Sequence, residues 1–383
     1  MPAEIRPNGT FPAVTYLSVD PLGSSVGLSQ VVPYVEGLAG CGVNVRLVSF
    51  EHSIEAGLSR RLAATGGVEW CPLPYGRPGS FGGLGRALRA ARAVRGAELV
   101  HARSDLAAAA VILSGVDRWV WDVRSLWVDQ KIATGVIRAG SPEDKVFRHI
   151  ERAAAARSSQ VVTLTGSVVD ELERRYGAQL GEKTTVITTC VELDRFVPVS
   201  MPKLEPVRLL LAGTLNRYYD IPAMLGFVEE LRRHREVEFI VAAPGSTDWD
   251  VELDRAGAKR LTADFGEMPG LVASCHAGLC LCREDAGVSL LAAMPTKIGE
   301  FLAVGRPVVV NTGLVDASGL VSAHQAGVSY SCDSVSPELA VEELLGLLKD
   351  PETPRRARLL AEEHFDLEAG IERLIDVYQR AVD

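Results

Sequence analysis

From residue 13 onward, short apolar runs rich in β-branched side chains alternate with stretches in which apolar side chains recur every three or four positions. The short runs are typical of buried parallel strands, and the longer stretches are typical of helices that cover a sheet. In the first half the runs predict strands at residues 14–19, 43–50, 68–73, 98–101, 119–123, 160–163 and 185–187. The stretches between them predict helices at residues 28–39, 83–94, 106–113, 143–156 and 168–176. This alternation predicts an α/β fold built on a parallel sheet.

Residues 198–206 interrupt the alternation with three prolines and little periodicity, as a linker does. The alternation then restarts, with predicted strands at 207–212, 237–242, 277–282 and 308–311 and predicted helices at 221–233 and 268–275. After Pro337 the sequence is helical to the end, and the stretch 367–382 carries one apolar stripe that needs a partner. Because 383 residues exceed what one hydrophobic core usually serves, we predict two Rossmann-like domains, residues 1–198 and 207–365.

Composition narrows the class of protein. Hydrophobic residues at 47% and charged residues at 23% fit a soluble globular protein, and no apolar stretch approaches the roughly 20 residues of a membrane span. The opening residues 1–7 lack the basic start and apolar run of a signal peptide, so we expect a cytoplasmic protein. The net charge of −9 argues against nucleic acid as the main partner, because binding to a phosphate backbone needs clustered Lys and Arg.

The seven cysteines are odd in number and have no framework spacing, which predicts reduced thiols rather than disulfides. Cys275, His276, Cys280 and Cys282 cluster in the sequence and could be read as metal ligands. The same residues also have the pattern of a buried strand with small apolar side chains. We favour the strand and predict no metal site.

The segment 294–310 is the most informative for function. Pro295 suits the first position of a helix, Lys297 and Glu300 lie one turn apart, and Gly305 ends the helix before an apolar strand. A helix N-terminus attracts anions, a lysine in its first turn adds to that attraction, and a carboxylate one turn on can accept hydrogen bonds from two neighbouring hydroxyls. Phosphates and a ribose fit this pattern, although an ordinary αβ unit with a surface Lys and Glu fits it too.

Ligands of doubly wound sheets bind beyond the carboxyl ends of the strands, so the loops that follow strands are the next candidates. After the first strand, Gly23, Ser24 and Ser25 precede a helix and offer backbone N–H groups and hydroxyls to a sugar or a diphosphate. The Gly-x-Gly-x-x-Gly dinucleotide fingerprint and the phosphate loop are both absent, which disfavours an oxidoreductase. A purely structural glycine turn remains the alternative.

The second domain has a comparable loop after its first strand. It begins at Gly213, and in it Arg217 could neutralise a diphosphate, Asn216 could donate a further hydrogen bond and Asp220 could cap the following helix. The alternative is a solvated Arg217 with tyrosines that pack a surface between domains.

Charged residues also follow two consecutive strands of the first domain. His101 and Arg103 end one strand, and Asp122 and Arg124 end the next. Charges at the ends of apolar strands are costly unless they are paired, so they could form a structural ion pair or position a sugar.

Taken in this order and spacing, the segments resemble those of the family 4 glycosyltransferases, which have the GT-B fold and move a sugar from a nucleotide diphosphate to an acceptor with retention. The matching segments are residues 20–34, 48–51, 101–104, 122–127, 186–196, 213–220, 295–310 and 377–378. The resemblance implies two Rossmann-like domains whose parallel sheets face each other across a cleft. It also implies that residues 366–383 form a helix that crosses back to complete the acceptor-side N-terminal domain.

The resemblance further implies roles for individual residues. Glu300 is expected to hold the ribose of the donor nucleotide, and Asp122, Arg103 and Lys297 are the expected catalytic or sugar-positioning residues. The expected donor-binding residues are Gly23, Ser24, Ser25, Gly213, Asn216, Arg217, Thr296, Lys297 and Glu300. No cofactor and no metal is implied, because fixed cations and helix N-termini can stabilise the departing diphosphate.

Some positions depart from the family pattern. Ala292 stands where the family has the first glutamate of its glutamate pair, and Arg103 stands where it often has a second histidine. In the loop at 213–220, Thr214 and Tyr219 stand where the family commonly has an Arg and a Lys. A branch of the family that carries Pro-Thr-Lys and Gly-x-Leu-x-x-Tyr-Tyr-Asp shares these departures.

We therefore predict a retaining transferase that uses a nucleotide-diphosphate sugar and a hydroxyl acceptor, in glycan, polysaccharide or glycosylated-metabolite biosynthesis. A nucleotide-sugar epimerase or hydrolase on the same fold and a catalytically silent donor-binding subunit stay as alternatives. The base, the sugar and the acceptor are left open, as is peripheral contact with the inner face of a membrane.

Overall fold

The computed structural model of the chain describes residues 12–177, 179–331 and 337–383. The opening residues 1–7, on which the signal-peptide prediction was made, lie outside the described residues. The chain divides into two compact units, the first comprising residues 1–187 and 367–383 and the second residues 188–366.

The first unit ends earlier than the linker at 198–206 suggests. The residues just after position 187 bond to the second unit instead. The Thr189 hydroxyl donates to the carbonyl of Met294 at 2.5 Å, and the Arg195 guanidinium donates to the carbonyl of Phe265 at 2.6 Å. These bonds assign residues 188–198 to the second unit.

The first unit alternates strands and helices along the chain. Its strands are β1 Val14–Ser18, β2 Val45–Glu51, β3 Val68–Pro74, β4 Leu99–Arg103, β5 Trp119–Val123, β6 Gln160–Thr163 and β7 Thr184–Val186. Its helices are α1 Ser25–Gln30, α2 Val32–Gly40, α3 Ala56–Ala64, α4 Gly79–Val94, α5 Asp105–Ser114, α6 Trp127–Ala133, α7 Pro142–Arg157, α8 Gly166–Tyr176 and α9 Gln179–Glu182. The C-terminal helix, α17 Leu367–Val382, also belongs to this unit.

The second unit repeats the alternation. Its strands are β8 Val207–Ala212, β9 Val237–Ala242, β10 Lys259–Leu261, β11 Ala277–Cys280, β12 Val308–Asn311 and β13 Gly327–Tyr330. Its helices are α10 Ile221–His234, α11 Asp250–Arg255, α12 Met268–Ser274, α13 Thr296–Ala303, α14 Val315–Ala323, α15 Pro337–Lys349 and α16 Thr353–His364, with a 3₁₀ segment at Glu284–Ala292.

Each unit is a doubly wound parallel sheet over the described residues. The first sheet has the order β3-β2-β1-β4-β5-β6-β7, and the second has the order β10-β9-β8-β11-β12-β13. In both, the strand order reverses beside the first strand of the unit, so β1/β4 and β8/β11 are the switch points where such sheets bind ligands. The predicted α/β class and parallel sheets are confirmed.

One predicted helix is divided in the structure, and another is confirmed. The helix predicted at 28–39 is two helices, because Pro33 lacks an N–H and its ring crowds the preceding turn, so the chain breaks at Val31. The helix predicted at 367–382 is confirmed, and it packs against α2, where a Cβ on Gly37 would lie 2.1 Å from Ile371 Cδ1. Only glycine permits this close contact. None of the helices in the described ranges is long and apolar enough to cross a membrane.

Candidate functional site

In the second unit the candidate site lies at the switch point between β8 and β11. The loop that leaves β8 begins at Gly213 with φ of +104°, a conformation that strains any residue with a side chain. A Cβ on Gly213 would lie 3.6 Å from Lys297 Nζ. The chain therefore requires glycine here for its backbone conformation, and Gly213 passes close to the Lys297 ammonium.

The helix that carries Lys297 begins one residue later than the sequence suggests. Pro295 is the residue before the helix, with an extended ψ of 130°, and Thr296 is the first helical residue. No side chain caps this N-terminus among the described residues. The first-turn N–H groups and their partial positive charge thus lie beside the lysine.

Lys297 is 7% exposed, yet its ammonium has no hydrogen-bond partner among the described residues. Its Nζ lies 4.0 Å from the centroid of the Tyr219 ring, a cation–π contact. Burial opposes the charge, but Tyr219 and Cys280 more than offset this and hold the pKa of Lys297 above its usual range. A buried cation without a polar partner is costly, and an anionic ligand would lower that cost.

Glu300 lies one turn along the same helix and is half-buried. Burial raises the pKa of its carboxyl group to about 7, although Lys297 and Arg195 favour the charged form. The carboxyl group therefore titrates near neutral pH rather than near pH 4. Arg195 itself stacks 3.7 Å from the centroid of the Phe265 ring, so its position is fixed by packing.

The other predicted donor-binding residues of this unit lie apart from Lys297. Asn216 is exposed, and its side-chain oxygen accepts a hydrogen bond from the Tyr218 N–H at 2.9 Å. The Arg217 side chain is 69% exposed and lies 3.8 Å from the Asp248 carboxylate. No described contact joins either side chain to Lys297, whereas Gly213 and Thr296 are beside it.

Ala292 occupies the place of the family's first glutamate, and it is fully buried. A glutamate at this position would place a carboxylate in the packed interior at an energetic cost of several kcal/mol. The small apolar side chain of Ala292 therefore suits the packed interior better than the family's glutamate would.

The first unit has a second polar cluster, at the ends of β4 and β5. Arg103 and Asp122 are paired in the register of the two strands, and both side chains are buried. The Arg103 guanidinium donates to the Asp20 carboxylate at 3.0 Å, while its Nε has no partner among the described residues. Both oxygens of Asp122 are engaged, one by His101 Nε2 at 3.1 Å and one by Arg124 at 3.4 Å.

The charge state of Asp122 follows from these contacts. Burial alone would raise the pKa of its carboxyl group, but the Arg124 guanidinium and the His101 hydrogen bond outweigh burial and lower the pKa to about 2. An ionised carboxylate only accepts hydrogen bonds, so His101 carries its ring proton on Nε2. The His101 Nδ1 then accepts a hydrogen bond from the Tyr378 hydroxyl, with 3.0 Å between the two atoms.

His101 and Tyr378 extend the cluster to the C-terminal helix. The imidazole stacks on the Tyr16 ring with centroids 4.2 Å apart, and burial lowers the pKa of His101, which keeps the ring neutral. Sequence reasoning placed His101 with Arg103 at the end of one strand, in a set that could form an ion pair or position a sugar, and it assigned Tyr378 to a packing stripe. Tyr378 had no separate signal, because its neighbours along α17 are apolar core residues.

Ser104 is a further residue that the sequence did not single out. It directly follows β4 with φ of +86°, a strained value for a residue that is not glycine, and its buried hydroxyl has no partner among the described residues. The backbone N–H of Ser104 donates to the carbonyl of Asp122 at 3.0 Å, which holds the strained conformation. Such strain clusters at functional sites, so Ser104 belongs with Arg103 and Asp122 in the candidate site.

The loop after β1 uses part of its polar groups internally. Ser24 caps α1 by accepting the Gly27 N–H at 3.1 Å, and its hydroxyl donates to the Pro21 carbonyl at 2.6 Å. Gly23 and Ser25 are exposed, and a Cβ on Gly23 would lie 2.7 Å from a carboxylate oxygen of Glu55. The Ser24 hydroxyl is thus already engaged in hydrogen bonds within this loop and the first turn of α1.

The cysteine cluster of the second unit is a strand, as the sequence predicted. Cys280 ends β11 and Cys282 follows it, and both are buried. Both ring nitrogens of His276 bond to backbone, one to the Arg208 N–H and the other to the Lys203 carbonyl. No disulfide joins the six cysteines within the described ranges.

Comparison with known proteins agrees with this architecture. Residues 29–190 match the family described as a glycosyl transferase 4-like domain. No curated protein sequence matches the chain. Among solved structures, the chain is similar to sucrose-phosphate synthase from Thermosynechococcus elongatus, with 15% identity, 96% of this chain and 98% of that chain covered, and a TM-score of 0.72.

Two further structures have the same fold. Anabaena Alr3699/HepE, solved in complex with UDP and glucose, has 15% identity, coverage of 96% of this chain and 99% of that one, and a TM-score of 0.68. WaaG, a glycosyltransferase involved in lipopolysaccharide biosynthesis, has 14% identity, coverage of 95% and 99%, and a TM-score of 0.67. Residues 29–190 thus match a glycosyl transferase 4-like domain, and the chain has the GT-B fold of these solved glycosyltransferase structures.

Proposed function

We propose that the chain is a glycosyltransferase that moves a sugar from a nucleoside-diphosphate sugar to a hydroxyl acceptor with retention at the anomeric carbon. The observation that carries the proposal is the buried Lys297 ammonium, which has no hydrogen-bond partner among the described residues and lies beside the N-terminus of α13. Both groups attract an anion, and a diphosphate brings two negative phosphates to one place. The similar Alr3699/HepE was solved with UDP-glucose, which is a donor of this class.

In the proposed mechanism the main barrier is the charge that builds on the departing diphosphate. Lys297 and the N–H groups of α13 are fixed before the reaction, so they stabilise that charge without reorganising. This arrangement requires no metal ion. Glu300 accepts hydrogen bonds from the ribose hydroxyls and fixes the nucleotide relative to Lys297.

Retention follows if the acceptor attacks from the face that the diphosphate leaves, with a leaving phosphate oxygen taking the acceptor proton. No separate general base is then needed. Arg103, whose Nε has no partner among the described residues, is proposed to position the acceptor or the sugar. Asp122 has both oxygens engaged, so we assign it the role of holding His101 and Arg124 rather than contacting substrate. Gly23, Ser25, Asn216 and Arg217 stay predicted donor ligands.

A ligand screen with a turnover assay tests the function. We expect UDP, GDP, ADP or TDP to raise the melting temperature of the wild type, because a ligand that binds only the folded state stabilises it by mass action. The nucleotide sugar of the best base should then release its diphosphate only when a hydroxyl acceptor is present. Release without acceptor would indicate a hydrolase or epimerase, and binding without turnover across acceptors would indicate a silent subunit.

The pH dependence of donor binding tests the role of Glu300. The burial-raised pKa of about 7 means that the carboxylate is fully charged only above neutral pH. The charged form accepts hydroxyl hydrogen bonds through both oxygens and more strongly than the neutral acid, so the affinity for UDP-glucose should rise roughly 10-fold between about pH 6 and pH 8. Calorimetric titration measures this, and UDP-glucose has no phosphate group that titrates in the range.

Glu300→Gln is the matched control for this titration. The amide has the same shape and no charge to titrate, so the variant should bind more weakly at pH 8 and show a flat profile. An unchanged profile in Glu300→Gln would show that another group titrates, and Glu300 would lose its assigned role.

A further inference from the structure

Three potential metal ligands meet in the second unit at the C-terminal ends of two helices. His324 directly follows α14, and Glu363 and His364 end α16. The His324 Nε2 lies 3.6 Å from one carboxylate oxygen of Glu363, and the His364 Nε2 lies 3.5 Å from the other. One ligand atom from each residue lies within 4.8 Å of the others, and among the described residues this is the one such group.

These distances suit a metal ion better than a direct ion pair. A charge-assisted N–H···O bond is about 2.7–2.9 Å long, well below both contacts. Ligands at about 2.0–2.1 Å from a tetrahedral zinc lie roughly 3.3–3.4 Å from one another. His324 and His364 contact different oxygens of the Glu363 carboxylate, and each separation, 3.6 and 3.5 Å, is close to the edge of that tetrahedron.

An independent contact orients His324 for metal binding. Its Nδ1 lies 2.9 Å from the carbonyl of Leu320. A carbonyl only accepts, so Nδ1 carries the proton and a neutral ring has its lone pair on Nε2, the atom that faces Glu363. Without a cation between them, that lone pair would face a carboxylate. A ring N–H bonded to a backbone carbonyl is the usual outer contact of a metal-ligating histidine.

The surroundings favour a cation as well. Both helices present their C-terminal ends to the cluster, and the partial negative charge of helix C-termini attracts positive ions. The side chains of His324 and His364 are 31% and 34% exposed, so an ion can reach them from solvent. Two imidazoles and one carboxylate are a ligand set that suits zinc and disfavours magnesium, which prefers oxygen ligands.

We propose that His324, Glu363 and His364 bind one Zn²⁺ ion, with water at the fourth position. The ion would join the ends of α14 and α16, which contact each other in the second unit. The three ligands are distinct from Lys297 and Glu300, so the proposed site does not depend on the function proposed above.

Calorimetric titration of the full chain with ZnCl₂, with MgCl₂ as the comparison ion, tests the site. We expect one Zn²⁺ per chain, a zinc-dependent rise in melting temperature, and neither effect with Mg²⁺. His324→Ala should weaken zinc binding by at least about 100-fold, because it removes a direct ligand. Glu363→Gln should weaken it as well, and its side chain is 63% exposed, so the fold should be unaffected.

His234→Ala is the matched control. His234 also pairs with a glutamate of the second unit, Glu230, at 3.3 Å, but among the described residues no third ligand joins them. This variant should bind zinc as the wild type does. Zinc binding of equal strength in wild type and His324→Ala would overturn the proposal, as would the absence of zinc binding. Thiolate charge-transfer absorption in the Co²⁺-loaded chain would also overturn it, because it would assign the ion to cysteines.

Discussion

We expect Lys297→Ala to lower kcat for sugar transfer by about 10²–10³-fold at saturating donor, equivalent to about 3–4 kcal/mol of transition-state stabilisation. The ammonium is fixed beside Gly213 and the N-terminus of α13, where a departing diphosphate would gain charge. Its stabilisation grows as the bond to the sugar breaks, so the loss should appear in kcat more than in KM. Steady-state kinetics with the donor found in the ligand screen measures both constants.

The stability of variants at position 297 distinguishes a role of Lys297 in transfer from a role in holding the fold together. The Lys297 ammonium is buried without a hydrogen-bond partner among the described residues, so removal of its charge should not lower the free energy of unfolding through a lost polar bond. Lys297→Met keeps an unbranched side chain against the Tyr219 ring, so it should lose kcat as Lys297→Ala does, with a melting temperature at or above that of the wild type. Lys259→Ala is the control, because Lys259 is 65% exposed and pairs only at the surface. Wild-type turnover in Lys297→Met would refute the assigned role.

Much of the fold follows from local pattern. Long apolar runs in central strands are recognisable without tertiary information, and the strands predicted at 119–123, 160–163, 207–212, 237–242 and 308–311 have the same bounds in the structure. The elements that the sequence missed are short. Strands β10 and β13 have three and four residues and lie at a sheet edge, where pairing with a neighbour rather than pattern defines them.

The candidate site could be predicted only where one segment carries it. Thr296, Lys297 and Glu300 share a helix, and the Pro-Thr-Lys start and one-turn spacing are visible in the sequence. Arg217 and Asn216 follow strand β8 with side chains exposed to solvent, so their contact with a donor stays a prediction. Loop direction depends on tertiary contacts that no local pattern encodes.

Groups assembled from distant segments were not predictable. Tyr378 meets His101 across 277 positions of sequence, and its neighbours on α17 have the pattern of an ordinary packing helix. His324 and Glu363 likewise come from two helices without motif spacing. In each case the fold creates the contact, so only the structure shows it.

Asp122→Asn should lower the free energy of unfolding of the first unit by about 3–5 kcal/mol, because it leaves the buried Arg124 guanidinium without its charged partner. Urea unfolding followed by tryptophan fluorescence reports mainly on this unit, since only Trp249 lies in the second. Glu36→Gln is the control. Glu36 is 22% exposed and pairs with Arg61, which is 40% exposed, so this change should cost less than about 1 kcal/mol.

The ionisation of Asp122 should be visible in how the free energy of unfolding changes with pH. Its pKa is about 2 in the folded chain, against an ordinary value of 3.8, so its charged form contributes about 2 kcal/mol of stability above about pH 4. This contribution is lost as the pH falls from about 4 towards 2, and Asp122→Asn should lack that part of the acid dependence. The variant should still bind nucleotide sugar while transfer falls, because the proposed donor ligands Lys297 and Glu300 belong to the other unit. Equal loss of donor binding and transfer in folded Asp122→Asn would assign Asp122 to the donor site instead.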